Sequence, residues 1–381
     1  MDGAIPITRP LLGEEECDAV VEALRSGWLT QGNRVAAFER AVADYVGARH
    51  AIACSSCTTA LHLALHASGI GPGDEVIVPS MSFIASANSI RYVGATPVFA
   101  DVEARTFNLD PVAAAEAITP RTRAILVVHQ IGLPADLDGF RSLCARHGLL
   151  LLEDAACAIG AAHHGQRIGG ERALACFSFH PRKVITTGEG GMITTCDDGL
   201  AARLRLLRQH AMSLSDQHRH ASDKVLIEEY PEVGFNYRMT DLQAAVGIEQ
   251  MKRLDGILVR RRHLAERYTR RLAGIPGIEP PFVPEYATPN YQSYAVRLAD
   301  GFPLSRNDLM EFLLRRGIAA RRGIMTSHRE LAYQHQGRRL PITERASDQS
   351  LLLPLYPTMT EAEQDRVVAA LEESHAARRV A

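Results

Sequence analysis

The sequence predicts an α/β protein, in which a large domain with a mostly parallel mixed sheet flanked by helices precedes a smaller C-terminal α/β domain. Short apolar runs alternate with amphipathic helical patterns from about residue 34 to 250. These runs are continuously apolar, which is typical of strands buried on both faces. We therefore predict a large domain at 1–250, including an N-terminal arm at 1–30, and a small domain at 251–381.

The individual elements follow from the local hydrophobic period and from turn signals. In the large domain, the predicted helices are 14–26, 35–46 and 59–67, and the predicted strands are 51–54, 75–79, 96–100, 124–128 and 149–153. A long helix over 240–272 joins the two domains. The small domain is predicted to contain a strand at 293–298 and helices at 305–316 and 360–377.

Composition excludes several classes of function. The formal net charge is -2 and the pI is about 6.7, which argues against a nucleic-acid-binding surface. No apolar run is long enough for a transmembrane helix, and the first residues lack the pattern of a signal peptide. The seven cysteines are scattered, as expected for reduced thiols. We therefore expect a cytoplasmic protein that binds neither membrane nor nucleic acid.

Lysine is scarce, and one lysine lies in an unusual segment. Lysine and arginine together number 42, but lysine occurs only at 183, 224 and 252. Lys183 lies between an aromatic, apolar stretch and a glycine-rich one. An amine retained there can form an imine with an aldehyde, which a guanidinium cannot do. The alternative is a lysine whose stem packs while its ammonium group reaches water.

Asp154 ends an apolar run and precedes Lys183 by 29 residues. The carboxyl ends of parallel strands open into the ligand crevice of such a sheet. A carboxylate there and a downstream lysine together suit pyridoxal phosphate, because one holds the pyridine nitrogen protonated and the other holds the aldehyde. The alternative for Asp154 is an ordinary helix N-cap.

A turn of small residues at 54–59 lies between a predicted strand and a predicted helix. Free N–H groups at a helix N-terminus bind anions, so this turn favours a phosphate site. The alternatives are a redox dithiol of Cys54 and Cys57, or simply small buried residues. His62 and His66 are spaced as a metal pair, but no third ligand is placed, so packing is favoured over a metal site.

These segments together resemble the DegT-type sugar aminotransferases, which are fold-type I pyridoxal phosphate enzymes acting on nucleotide-linked keto sugars. The resemblance extends along nearly the whole chain. It is carried by the segments 27–32, 73–80, 153–156, 177–191, 234–241 and 353–357.

The resemblance implies a role for each matching residue. Lys183 corresponds to the Schiff-base lysine, and Asp154 to the partner of the pyridinium nitrogen. The remaining matches are Phe83 stacking on the cofactor ring, Ser178 with the backbone at Thr58 and Thr59 around the phosphate, Asn236 reaching the phosphate of a neighbouring subunit, and His328 near the substrate. The role of Asn236 implies a homodimer with shared active sites.

Two positions depart from the family pattern. Cys57 replaces the usual glycine, which is tolerated if its φ stays negative. Cys157 replaces the glutamine or histidine that faces the phenolic oxygen of the cofactor. A thiol is a weak hydrogen-bond donor, and losing one neutral hydrogen bond costs about 1 kcal/mol, so we expect cofactor binding to survive.

The resemblance implies transfer of an amino group from an amino acid donor, expected to be glutamate, to a keto sugar. A related branch of the fold dehydrates sugars and carries histidine in place of Lys183, so the lysine favours transamination. Three alternatives stay open: amination of a cyclitol or another small ketone, a pyridoxal phosphate-binding regulator without turnover, and a dithiol redox protein.

Overall fold

The computed structural model describes residues 3–214, 223 and 225–376. Lys224, residue 377 of the last predicted helix and part of the 211–233 loop lie outside the described residues. Within them the α-helices are α1 Glu14–Arg25, α2 Asn33–Val46, α3 Cys57–Ala67, α4 Ala85–Tyr92, α5 Pro111–Glu116, α6 Leu137–His147, α7 Asp198–Leu207, α8 Asp241–Leu272, α9 Arg306–Arg315, α10 Pro341–Gln349 and α11 Glu361–Ala376.

The strands of the described residues form three sheets. They are β1 His50–Cys54, β2 Glu75–Pro79, β3 Thr96–Ala100, β4 Thr122–Val128, β5 Leu150–Asp154, β6 Ala162–His163, β7 Gln166–Arg167, β8 Ala175–Ser178, β9 Gly191–Thr195, β10 Ile278–Glu279, β11 Ala287–Thr288, β12 Tyr294–Leu298, β13 Arg321–Arg322 and β14 Ser350–Leu353. The main sheet has the order β1-β9-β8-β5-β4-β2-β3. Only β9 runs antiparallel to its neighbours, so the sheet is mixed and mostly parallel, as predicted.

Different helices cover the two faces of the main sheet. Ile77 of β2 packs with Phe38 of α2 and Leu254 of α8. Its neighbours Val76 and Val78 pack on the opposite face, in a core shared with α3, α4 and α7. Side chains alternate between faces along a strand, and all three of these β2 residues are fully buried. The continuous apolar run therefore marks a strand buried on both faces, as its pattern predicts.

Most predicted elements agree with the structure to within two residues, and β2 and β3 have the predicted bounds. Helix α3 begins at Cys57, two residues before the predicted start, because Ser56 caps it. The Ser56 hydroxyl accepts a hydrogen bond from the N–H of Thr59 at 3.1 Å. Strands β8 and β9, on either side of the Lys183 segment, are the elements of the main sheet that our sequence analysis did not predict.

Helix α8 contributes side chains to two hydrophobic cores, one on a face of the main sheet and one in the C-terminal part of the chain. Its side chains up to Leu258 belong to the core of the main sheet. From Leu264 onward they pack in a second core, against the antiparallel sheet β10-β12-β14-β13. Ile5, near the start of the arm, also packs in this second core. The domain division at 250/251 stays a prediction. In the part of the chain that the structure describes, no helix combines the length and apolar character needed to cross a membrane.

Candidate active site

Lys183 lies in the connection between β8 and β9, at the edge of the site formed by the carboxyl ends of the parallel strands. Its backbone N–H donates to the carbonyl of His180 at 2.8 Å, which fixes the turn. The side chain is partly buried, and Nζ donates to Sγ of Cys157 at 3.2 Å. The amine thus contacts another side chain of the site, as expected for an amine retained for chemistry.

The environment of Lys183 favours its charged form. Burial lowers the pKa of the ammonium group, but the neighbouring Cys157, followed by Cys57 and Asp154, outweighs burial and leaves the pKa raised. The amine must therefore lose a proton before it can attack a carbonyl carbon.

Asp154, at the end of β5, is 5% exposed and bound by two donors. Ser86 of α4 donates its hydroxyl to Oδ2 at 2.7 Å, and the N–H of Ala156 donates to Oδ1 at 3.1 Å. The neighbouring Glu153 points to the opposite face, where its carboxylate lies 3.1 Å from Nε2 of His129. The next regular element is β6 and not a helix, so the N-cap alternative for Asp154 is excluded.

The N-terminus of α3 forms a cradle against β9. The N–H groups of Cys57 and Thr58 precede the first helical hydrogen bond, which Ala60 donates to the carbonyl of Ser56 at 3.0 Å. A Cβ on Gly191 would lie 2.3 Å from that carbonyl oxygen and 2.6 Å from the nitrogen of Cys57. Only glycine permits this approach of β9 to the helix start.

The two predicted threonines have different surroundings. Thr59 is committed to the cap, since its hydroxyl donates to the carbonyl of Ser56 at 2.8 Å and its N–H donates to the Ser56 hydroxyl. The N–H of Thr58 lies at the open end of the helix. Ser178 ends β8 and pairs directly with Gly191 across the sheet, which brings its side chain to the same edge as the cradle.

The thiols next to this cradle are unsuited to redox exchange. Cys54 is fully buried, and burial raises the pKa of its thiol to about 12. Cys57 is also buried, its pKa is raised well above the usual value by burial, and it donates to the carbonyl of Cys176 at 3.6 Å. Dithiol exchange needs a thiolate, so this alternative loses its support. Cys57 avoids positive φ, which is why it is tolerated there.

Phe83 lies between the second strand and α4, where its ring is 63% exposed. The segment around it is tied to Asp154, because the hydroxyls of Ser82 and Ser86 lie 2.7 Å apart and Ser86 contacts the carboxylate. Cys157 follows Asp154 by three residues and contacts Lys183. The stacking role of Phe83 and the cofactor contact of Cys157 stay predictions.

Asn236 is exposed, in a segment that runs beside α3. Its Oδ1 accepts a hydrogen bond from Nε of Arg238 at 3.3 Å. The next residue, Tyr237, stacks on Phe235, and its hydroxyl lies 2.8 Å from Nδ1 of His62. His62 therefore packs among aromatic rings, as the sequence analysis favours over a metal site.

His328 connects the small domain to the end of β2. It is 5% exposed, its Nδ1 lies 2.6 Å from the hydroxyl of Ser80, and its Nε2 lies 3.3 Å from a carboxylate oxygen of Glu344. Both ring nitrogens are thus engaged by protein groups. The structure shows His328 as a link between domains, and its contact with substrate stays a prediction.

Two buried amides that the sequence analysis missed hold the site together. Nδ2 of Asn290 donates to the carbonyls of Cys157 at 2.7 Å and of Ile159 at 2.9 Å. Nε2 of Gln292 donates to the carbonyl of Arg182 at 2.7 Å. The 290–292 segment thereby fixes the backbone at both partners of the Lys183–Cys157 contact. These bonds span more than a hundred residues, and no local pattern in the sequence signals them.

Known proteins share this architecture along the whole chain. GDP-perosamine synthase of Caulobacter vibrioides is 44% identical over 372 residues, covering 97% of this chain and 98% of the relative. DesV of S. venezuelae, in complex with a ketimine intermediate, has 36% identity and a TM-score of 0.89, with 98% of each chain covered. The PLP form of Spr1654 from Streptococcus pneumoniae has 28% identity and a TM-score of 0.90, covering 98% of this chain and 99% of that one.

These structures confirm the predicted fold. The family model for the DegT/DnrJ/EryC1/StrS aminotransferases matches residues 10–372, a span that contains every residue of the site described above. The chain therefore belongs to the DegT/DnrJ/EryC1/StrS aminotransferase family.

Proposed function

We propose that this protein transfers an amino group from glutamate to a nucleotide-linked keto sugar. Its membership of an aminotransferase family confirms the predicted enzyme class, and a relative as similar as GDP-perosamine synthase supports a sugar substrate carried on a nucleotide. The observation that carries the proposal is the position of Lys183, in the loop that follows β8, near Asp154 at the end of the neighbouring strand β5, whose charge acts on the Lys183 amine. An amine and a buried carboxylate are the two groups that pyridoxal phosphate chemistry requires of a protein.

The site fits pyridoxal phosphate, the predicted cofactor of the family. The start of α3, against which Gly191 packs closely, provides N–H donors for a phosphate. Asp154 supplies the carboxylate for the ring nitrogen, and Lys183 supplies the amine for the aldehyde. When bound, the cofactor supplies a carbonyl that captures amino groups covalently and a ring that accepts electrons.

The roles of the protein side chains follow from their surroundings. The Asp154 carboxylate, held by Ser86 and by the N–H of Ala156, keeps one orientation and presents negative charge to a protonated ring nitrogen. Lys183 takes the α-proton of the amino donor as a general base and returns a proton as a general acid. Cys157 accepts a hydrogen bond from the resting ammonium group, which keeps the amine at the site.

The covalent role of Lys183 can be tested by borohydride reduction of the cofactor-loaded enzyme. We expect reduction to remove the absorbance band at the visible edge, and mass spectrometry to find the cofactor on the peptide that contains Lys183. Lys183→Ala should lose this adduct and the activity. Lys252→Ala is a matched control, because Lys252 lies exposed on α8, paired with Glu249. A Lys183→Ala enzyme with normal turnover would refute the proposal.

The substrate can be tested with a panel of nucleotide-linked keto sugars and cyclitols, each supplied with glutamate, by measuring 2-oxoglutarate and the aminated product. Amination of a keto sugar supports the proposal, whereas turnover of cyclitols alone would favour the second candidate. A cofactor absorbance that no amino donor changes would favour a regulator without turnover.

The shared active site is a further part of the proposal. The segment before Asn236 exposes large apolar side chains, with Val225, Ile227 and Val233 each more than 80% exposed. Several exposed large apolar side chains in one segment are typical of an interaction surface, which supports a homodimer in which Asn236 completes the site of the partner.

Mixing inactive variants tests this arrangement. If Asn236 acts across the interface, refolded mixtures of Lys183→Ala and Asn236→Ala chains should regain roughly a quarter of the wild-type activity, because half of the dimers are mixed and each has one intact site. If Asn236 acts within its own subunit, mixing restores nothing.

We also propose a cytoplasmic location. All seven cysteines lie within the described residues, and all are free. Unpaired thiols are typical of reducing compartments, and alkylation of the protein from cells lysed in a thiol-blocking reagent would test this.

A further inference from the structure

Three candidate metal ligands meet in a part of the large domain that the proposed reaction does not use. Asp138 lies in the first turn of α6, while His163 ends β6 and His164 follows in the turn to β7. Each residue offers one ligand atom, and the three atoms lie within 4.8 Å of one another. The sequence analysis considered only the pair His62 and His66, and passed over these residues.

The turn after β6 brings the two histidines to the same side. Neighbouring residues in an extended strand point to opposite faces. His164 instead has a left-handed φ of 46° and is followed by Gly165 with a φ of 76°. The His163 and His164 ring centroids are consequently 4.6 Å apart. Nε2 of His164 also lies 3.3 Å from Oδ2 of Asp138, so the three groups already converge.

His163 distinguishes this cluster from ordinary surface charges. The residue is only 4% exposed, and its Nε2 is buried without a hydrogen-bond partner. Leaving such a group unpaired is energetically unfavourable. A metal ion bound at Nε2 of His163 would provide the partner that this atom lacks.

The charges around the cluster are mixed. Asp138 supplies one negative charge, and Asp136 adds a second that acts on His163. Arg141 opposes a bound cation, since its Nη1 lies 3.9 Å from Oδ1 of Asp138. That long and partly exposed ion pair is weak, so a bound cation can displace the guanidinium.

We propose that Asp138, His163 and His164 bind a divalent transition metal ion of the zinc class. Two imidazoles and one carboxylate suit Zn²⁺, with water in the fourth position, and do not suit Mg²⁺, which prefers oxygen ligands. The ion would fix the β6–β7 hairpin against α6. Because β6 pairs with β11, it would also steady the strand that leads to Asn290.

Zinc titration of the cofactor-loaded enzyme, stripped with EDTA and followed with a competing chromophoric indicator, tests the proposal. We expect about one zinc ion per chain at micromolar concentration, unaffected by millimolar Mg²⁺. His164→Ala and Asp138→Asn alter exposed side chains and should fold, and each should weaken zinc binding about 10-fold or more. His163→Ala should do the same, with circular dichroism checking its fold.

His147→Ala is the matched control, because it removes an exposed imidazole from the last turn of the same helix. It should bind zinc as the wild type does. The proposal is overturned if the wild type binds no zinc under these conditions, or if the His164 and Asp138 variants bind it with unchanged affinity.

Discussion

At the scale of the residue, the site depends on the contacts of two charged side chains, Lys183 and Asp154. The Lys183 ammonium group lies against the Cys157 thiol, and the Asp154 carboxylate is held by a hydroxyl and a backbone N–H. The sequence could predict the identities of these groups, because a scarce lysine and a carboxylate at a strand end are visible in it. It could not predict Ser86, whose role depends on the position of α4 over β5.

The first prediction concerns Cys157. Cys157 raises the pKa of Lys183, so Cys157→Ala should lower it. Only the neutral amine reacts with an aldehyde, so the rate at which the cofactor-free enzyme captures pyridoxal phosphate increases with pH as Lys183 loses its proton. In Cys157→Ala this increase should occur at lower pH. Stopped-flow absorbance over a series of pH values measures this. Cys196→Ala, which removes a distant thiol, should leave the profile unchanged, and an unchanged profile in Cys157→Ala would contradict the prediction.

The second prediction concerns Asp154. Asparagine keeps the shape of the side chain but removes the negative charge that keeps a ring nitrogen protonated. We expect Asp154→Asn to lower kcat by roughly 100-fold or more, in the range of effects of proton-handling groups. Steady-state kinetics with glutamate measures it. The neighbouring Glu153→Gln is the control, because Glu153 faces the other side of the sheet, and the prediction fails if both variants lose activity equally.

At the scale of the element, close packing of backbone and not side-chain chemistry builds the proposed phosphate cradle. Long, periodic elements such as α8 and apolar strands such as β2 were predictable, because their burial follows from a repeating pattern. Strands β8 and β9 were not predicted, because β8 has only four residues and β9, although as long as β2, follows a glycine-rich segment that is typical of a turn. The reason for that glycine is a contact with Ser56, which is distant in sequence.

The third prediction tests this contact. A Cβ at position 191 would meet the backbone of Ser56 and Cys57, so Gly191→Ala should push the start of α3 away from β9. We expect a loss of about 1–3 kcal/mol in stability and weaker binding of the cofactor phosphate. Thermal unfolding and cofactor titration measure both. Gly256→Ala is the control, because that helical glycine faces open space. It should stabilise the protein by about 0.5–1 kcal/mol.

At the scale of the whole molecule, the two domains are joined by shared helices and by buried polar links. Helix α8 was predictable as a connector, but the 290–292 segment and the His328 link depend on how the small domain packs against the strand ends. Nδ1 of His328 lies 2.6 Å from the Ser80 hydroxyl, and Nε2 lies 3.3 Å from a carboxylate oxygen of Glu344. The link holds the segment that leads to Phe83, so stability of the domain contact and order in the active site should be coupled.

The fourth prediction follows from the titration of this link. Burial lowers the pKa of His328, despite the opposing carboxylate of Glu344, so the folded protein disfavours the charged ring. The unfolded chain binds the proton more readily, so the stability from neutral His328 is present above the unfolded pKa of about 6.5 and is lost as pH falls below it. His328→Asn should cost about 1–3 kcal/mol at pH 8, because it leaves buried partners unsatisfied. This difference in unfolding free energy should decrease toward pH 5, because the wild type is destabilised there by protonation of His328.

Urea unfolding of both proteins at several pH values measures the difference directly, and subtracting one from the other removes the contributions of the other histidines. His147→Asn, at an exposed position on α6, should show no such dependence. Glu344 does not interfere with this measurement. Its pKa is lowered to about 2, chiefly by the backbone N–H of Leu340, so it does not titrate between pH 5 and pH 8. If the difference in unfolding free energy between wild type and His328→Asn is constant from pH 8 to pH 5, protonation of His328 does not affect stability and the prediction is wrong.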